Sequence, residues 1–102
     1  MTTIWENFRD RLVTPKAKEL AEEVALNGLE EYGEYLSAES PIEGEKPTLG
    51  IALNEGIREA IDAGNYLCLA LDLAESDEQV NQLSRAIRLI SNAIDLAASM
   101  QV

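Results

Sequence analysis

Two clusters of carboxylates dominate the chemistry this chain can perform. The first is Glu30-Glu31-Tyr32-Gly33-Glu34, and the second is Glu59-Ala60-Ile61-Asp62, with Glu55 one helical turn before it and Asn65 one turn after. The pattern is EExxE, a gap of 24 residues, then ExxD. Residues three and four apart are neighbours on a helix surface, so helical segments put Glu31 beside Glu34 and Glu59 beside Asp62. Two such faces turned toward each other make a cage of oxygen ligands. That is the donor set of a hard divalent cation such as Mg²⁺, with Mn²⁺ as the alternative.

Composition narrows the options. The chain has no histidine. This removes His-based triads, His-ligated zinc and the Glu-x-x-His di-iron site. Eight basic residues against 19 acidic ones give a net charge of −11. That balance opposes direct nucleic-acid binding, which needs cations on the phosphates, and opposes attraction to anionic membranes. No apolar stretch approaches the roughly 18–20 residues of a membrane span, and the N-terminus lacks signal-peptide character. Cys68 lies in the apolar run Tyr66-Leu67-Cys68-Leu69-Ala70-Leu71 and is expected to be a buried core thiol. Together these features fit a cytoplasmic protein. At 102 residues, a single domain covering 1–102 is expected.

The elements that must position the carboxylates are helical throughout. Thr3 and Glu6 form a capping box for a short first helix carrying Ile4, Trp5, Phe8 and Leu12. Thr14-Pro15 starts a second helix, expected to run to about Ala38. Its apolar stripe is Ala17, Leu20 or Ala21, Val24, Leu29, Tyr32 and Leu36. Gly28 and Gly33 inside it weaken the helix and suggest a bend or a close approach. The segment Ser40-Pro41-Ile42-Glu43-Gly44-Glu45-Lys46-Pro47 is a loop. Thr48 caps a third helix to about Glu75, whose second half is apolar nearly all round. That helix is expected to be central and most buried, with some of its carboxylates only partly exposed. Ser76-Asp77-Glu78-Gln79 caps the fourth helix. Two seams run along it: Val80, Leu83, Ile87, Ile90, Ile94 and Ala97, and beside them Ala86, Leu89, Ala93, Leu96 and Met100.

The expected fold is therefore an all-α four-helix bundle, one short helix and three longer ones. The loop between the second and third helices, roughly ten residues, favours antiparallel neighbours, so the two acidic clusters can meet. So wide an apolar face on the fourth helix predicts that the bundle is completed by an isologous dimer.

The joint pattern resembles the all-α nucleoside triphosphate pyrophosphatases, the MazG-like proteins, dimeric dUTPases and their phage relatives. The likeness rests on Glu30-Glu31-Tyr32-Gly33-Glu34 and Glu59-Ala60-Ile61-Asp62 and spans roughly residues 28–75. It implies Mg²⁺ held by Glu31, Glu34, Glu59 and Asp62, a nucleoside triphosphate substrate, and cleavage to a monophosphate and pyrophosphate. It also implies dimers or tetramers. Under this reading Glu30 or Glu55 takes the proton from water, Asn65 contacts the nucleotide, and Lys46 and Arg58 attend the phosphates. Trp5 and Phe8 pack a core rather than stack on a base, and Arg85 and Arg88 beside the fourth-helix seam are ordinary surface groups or interface salt bridges. A different reading is an acidic helical interaction module, or nucleic-acid mimic, without catalysis. Glu6, Asp10, Glu19, Glu22, Glu23, Glu43, Glu45, Asp77 and Glu78 are spread as such a module would need.

Overall fold

The computed structural model describes residues 2–101. They form four helices: α1 (Ile4–Arg9), α2 (Pro15–Tyr32), α3 (Leu49–Asp72) and α4 (Asp77–Ala98). The protein is all-α, as its periodicity requires; among the described residues the only β feature is one isolated bridge. The chain divides into two compact units, one ending at Pro47 and the next beginning at Thr48.

In the first unit α1 packs on α2. Thr3 and Glu6 form the expected capping box: the Thr3 N–H donates to Glu6 Oε1 at 2.9 Å, and the Glu6 N–H donates to Thr3 Oγ1 at 3.3 Å. The hydrogen bond from the Thr3 backbone, then the one from its hydroxyl, holds the Glu6 carboxyl below the usual glutamate range. Thr14 caps α2 through its hydroxyl, with Pro15 at the first helical position. The partly covered residues of α2 are Ala17, Ala21, Ala25, Gly28 and Leu29. Apart from Leu29 the covered side is thus made of small residues, and the larger Leu20, Val24, Tyr32 and Leu36 of the expected stripe stay exposed.

Helix α2 stops six residues short of the Ala38 expected from sequence. Gly33 caps it in the left-handed region, at φ 76°, and its N–H closes on Leu29 O at 2.8 Å. A Cβ there would strain the backbone. Gly33 is a stop signal rather than a mid-helix weak point. No neighbour lies within 4 Å of where a Gly28 side chain would begin, so no close approach explains Gly28.

Beyond α2, Ser40 is buried and its hydroxyl accepts from the Ser37 N–H at 3.0 Å. Ile42 and Glu45 exchange two backbone hydrogen bonds across Glu43 and Gly44, whose φ values are 50° and 81°. Two positive φ values at the centre define a type I′ turn, which Gly44 favours and Glu43 tolerates. Trp5 and Tyr35 meet with ring centroids 6.0 Å apart, and the Arg9 guanidinium sits 5.0 Å from the Trp5 ring centroid. Trp5 therefore packs, as expected, while Phe8 is left exposed.

In the second unit α3 packs on α4. Thr48 caps α3 by accepting from the Ile51 N–H. Ser76 caps α4 by accepting from the Gln79 N–H, but the Gln79 side chain turns to the Glu75 N–H at 2.7 Å instead of closing the box on Ser76. The partly covered residues on α3 include Leu53, Ile57, Ala60, Gly64, Leu67 and Leu71, and on α4 Leu83, Ile87, Ile90, Ile94 and Ala97. Both sets repeat at alternating spacings of three and four, the seam of a paired helix. Gly64 marks where the helices fit together, since a Cβ at that position would lie 4.0 Å from Ile90 Cγ2.

Helix α3 is not the fully covered central helix its composition suggests. Among the described residues no hydrophobic side chain is fully buried. One neighbour covers one row, so Tyr66, Leu69 and Leu73 stay exposed, and so does the Cys68 thiol expected in the core.

The glycines give two opposite expectations. Gly64→Ala places an ordinary contact against Ile90 and removes the helix penalty of glycine, so it stabilises the second unit by about 1 kcal/mol. Gly33→Ala forces alanine into the left-handed region and costs about 1 kcal/mol. Thermal denaturation followed by circular dichroism should move the midpoint up for the first and down for the second.

Candidate functional site

The second acidic cluster is carried by unbroken helix. Glu55, Glu59, Asp62, Tyr66, Leu69 and Leu73 follow one another at spacings of 4, 3, 4, 3 and 4 on α3. They therefore form a single row. The α4 seam on α3 runs through Ile57, Ala60, Gly64, Leu67 and Leu71. At about 100° per residue that seam lies on the opposite side of the helix from the carboxylate row. Helix α4 thus covers one face of α3, while the face carrying Glu59 and Asp62 is exposed. Glu55 is partly covered. The expectation that burial would constrain Glu59 and Asp62 fails for that reason. Arg58 and Asn65, seven residues apart, lie on the adjoining row and are also exposed. Among the described residues no ion pair engages Arg58.

The first cluster is split by the end of α2. Glu30 and Glu31 occupy the last helical turn, Gly33 reverses the backbone, and Glu34 follows outside the helix. Glu31 and Glu34 therefore do not share a helical face. The expected i, i+3 ligand pair is lost because the residue between them is the cap. Glu30 and Glu31 also point along different rows. Glu30 continues Glu19, Glu23 and Leu26, part of an open depression lined by Glu19, Glu22, Glu23, Leu26, Asn27 and Glu30. Glu31 continues Leu20, Val24 and Asn27, again at spacings of four, three and four.

Lys46 lies in the loop after the type I′ turn, with its ammonium 3.6 Å from Glu39. Both side chains are well exposed, so this pair contributes little and leaves Lys46 able to exchange partners. Within either unit, among the described residues, no three carboxylate or thiol side chains are gathered as a metal would need. The first unit supplies Glu30, Glu31, Glu34 and Lys46; the second supplies Glu55, Arg58, Glu59, Asp62 and Asn65. No helix among the described residues is long and apolar enough to cross a membrane.

Sequence reasoning did not anticipate two features. The Arg9–Trp5–Tyr35 cluster brings a loop aromatic back onto α1, and Trp5 Nε1 is buried in it without a hydrogen-bond partner. Tyr35 carries no periodic signal that would have assigned it there. The other is the polarity of the α3 row, acidic toward its start and apolar toward its end, which reading the spacing past Asp62 would have found.

Compared with known proteins, the chain matches no family model, no curated protein and no solved structure.

Proposed function

We propose that this protein is a Mg²⁺-dependent nucleoside triphosphate pyrophosphohydrolase of the MazG-like kind, converting a (d)NTP and water to the monophosphate and pyrophosphate. The observation that carries the reading is the α3 row. Glu59 and Asp62 stand one turn apart on rigid helix, exposed, with Glu55 one turn before them and Arg58 and Asn65 on the adjoining row. A functional constellation is best held on such an element. The Glu31 row on α2 has matching polarity: its acid lies at the C-terminal end, and the acids of α3 lie toward the N-terminal end.

The donor chemistry fits the ion. All candidate ligands are carboxylate oxygens, and Mg²⁺ takes one or two carboxylates together with substrate phosphates and water. Glu59 and Asp62 supply that minimum from one helix. When bound, the ion neutralises phosphate charge and orients the reacting groups. Of the chain's own residues, Arg58 and Lys46 attract the triphosphate, and Asn65 donates to or accepts from the nucleotide. Glu55 takes the proton of the attacking water, with Glu30 the alternative base. The water oxygen bonds to the α-phosphorus, the bond from that phosphorus to the bridging oxygen breaks, and pyrophosphate leaves. The reading assigns the reaction to the cytoplasm and the protein to an isologous dimer or tetramer, because α4 keeps an uncovered apolar row. The α3–α4 pair then forms part of a four-helix bundle.

The second reading, an acidic interaction module, draws on the run of exposed glutamates along α2. The two separate cleanly. The protein is incubated with each (d)NTP and Mg²⁺, and pyrophosphate and monophosphate are measured. Stoichiometric release of both from at least one nucleotide is expected. If no nucleotide is cleaved, the enzyme reading fails and the module remains.

A further inference from the structure

A second apolar row on α4 runs from Ala86, which is partly covered, through the exposed Leu89, Ala93 and Leu96 to the exposed Met100 just past the end of the helix. Leu89 and Leu96 are each 68% exposed and Met100 56%. Their spacing of 3, 4, 3 and 4 makes them the a and d positions of a heptad, with alanine at each a before Met100 and leucine at each d. Arg85, Asn92 and Ser99 form the flank beside it, at the g positions. The row contains no carboxylate, in a chain of net charge −11.

We infer that this row is the self-association surface, and that α4 pairs antiparallel with α4 of a second copy, centred near Ser91. Three observations select that occupant and that direction. The first is shape. In the antiparallel register Ala86 faces Leu96 of the second copy and Leu89 faces its Ala93, so each of these central layers holds one small and one large side chain, with Met100 outside them opposite Gln82. A parallel pair would stack alanine on alanine and leucine on leucine, leaving gaps at one layer and crowding at the next.

The second is charge. The last turn of α4 has no basic residue of its own. The antiparallel register brings Arg85 of the second copy beside that turn, where the helix dipole favours a cation. The parallel register would instead set Arg85 against its own counterpart. The third is the position of the acids. Asp77 and Glu78, in the first turn of α4, fall outside the overlap and so do not oppose the approach of two acidic chains. The exposed row of α3 lacks this self-complementarity, because its Glu59 and Asp62 would meet leucine if two copies paired. The inference rests on the self-association proposed above and not on the nucleotide chemistry.

Paired cysteines test it in a Cys68→Ser background, which removes the exposed native thiol. Arg85→Cys and Ser99→Cys chains are mixed at high micromolar concentration and oxidised mildly. The mixed Arg85→Cys/Ser99→Cys disulfide should dominate both homodisulfides. Light scattering of the Cys68→Ser chain should give twice the chain mass, and Leu89→Arg should return it to one chain mass with helix content unchanged. A monomer at every concentration overturns self-association as a whole. A dimer whose Arg85→Cys chains cross-link to each other, or which survives Leu89→Arg, overturns this pairing alone. Nucleotide turnover is scored separately and bears on neither outcome.

Discussion

Glu59→Gln and Asp62→Asn should each lower kcat/KM for the hydrolysed nucleotide by about a hundredfold or more, with helix content and melting unchanged. A hundredfold loss corresponds to about 2.7 kcal/mol of transition-state stabilisation. On the proposed function each of these carboxylates would hold the divalent cation, and its loss would remove at least that much, because the cation's charge would be the main counterweight to the phosphates. The structural side follows from the geometry of α3. Both side chains lie on the face opposite the α4 seam and are exposed. They carry no tertiary contact whose loss would unfold the pair, and surface substitutions of this kind stay within about 0.5 kcal/mol. Glu34→Gln should cost less than Glu59→Gln, since Glu34 follows the α2 cap and is held by no helix. Steady-state kinetics over a Mg²⁺ titration make the comparison. Turnover unchanged in Glu59→Gln would sink the catalytic reading, and equal losses in Glu34→Gln and Glu59→Gln would sink the ranking of the two clusters.

That ranking marks where the sequence was legible and where it was not. Helix starts are written in local chemistry. Thr3, Thr14, Thr48 and Ser76 each accept a backbone N–H three residues on, and each was readable as a hydroxyl before a periodic run. The end of α2 was harder, because a glycine inside an apolar pattern can be a tolerated weak point or a left-handed cap. Only the backbone distinguishes them, and here φ is 76°. One residue's conformation then removed Glu34 from the helical face. Burial was the least legible quantity. The run around Cys68 is apolar all round, which implies a surrounded helix. Periodicity reports which rows are apolar but not how many neighbours a helix has, and α3 has one within its unit. The seam toward α4 was readable from spacing alone, because two heptad rows that pair are each visible in their own helix.

Ile90→Asp should dissolve most of the helix in the second unit, the largest structural effect expected of any single change here. Ile90 lies mid-seam, its Cγ2 4.0 Å from where a Gly64 Cβ would begin. Replacing it sets a carboxylate against Gly64 and the flanking Ala60 and Leu67 of the α3 seam. Loss of the isoleucine contact and partial desolvation of a charge together cost about 3 kcal/mol or more. With no fully buried hydrophobic side chain among the described residues, little else opposes that loss. Once the seam opens, α3 and α4 lose the packing of their amphipathic faces, from which most of a helix's stability in a protein comes. The carboxylate row would lose its rigid support at the same time, although Ile90 is on a different helix from every candidate ligand. Far-ultraviolet circular dichroism should show the loss of helix, and hydrolysis should fall with it. Ile90→Leu keeps the volume and the contact and should restore both. A fully helical Ile90→Asp chain would mean that the α3–α4 seam is not what holds the second unit together.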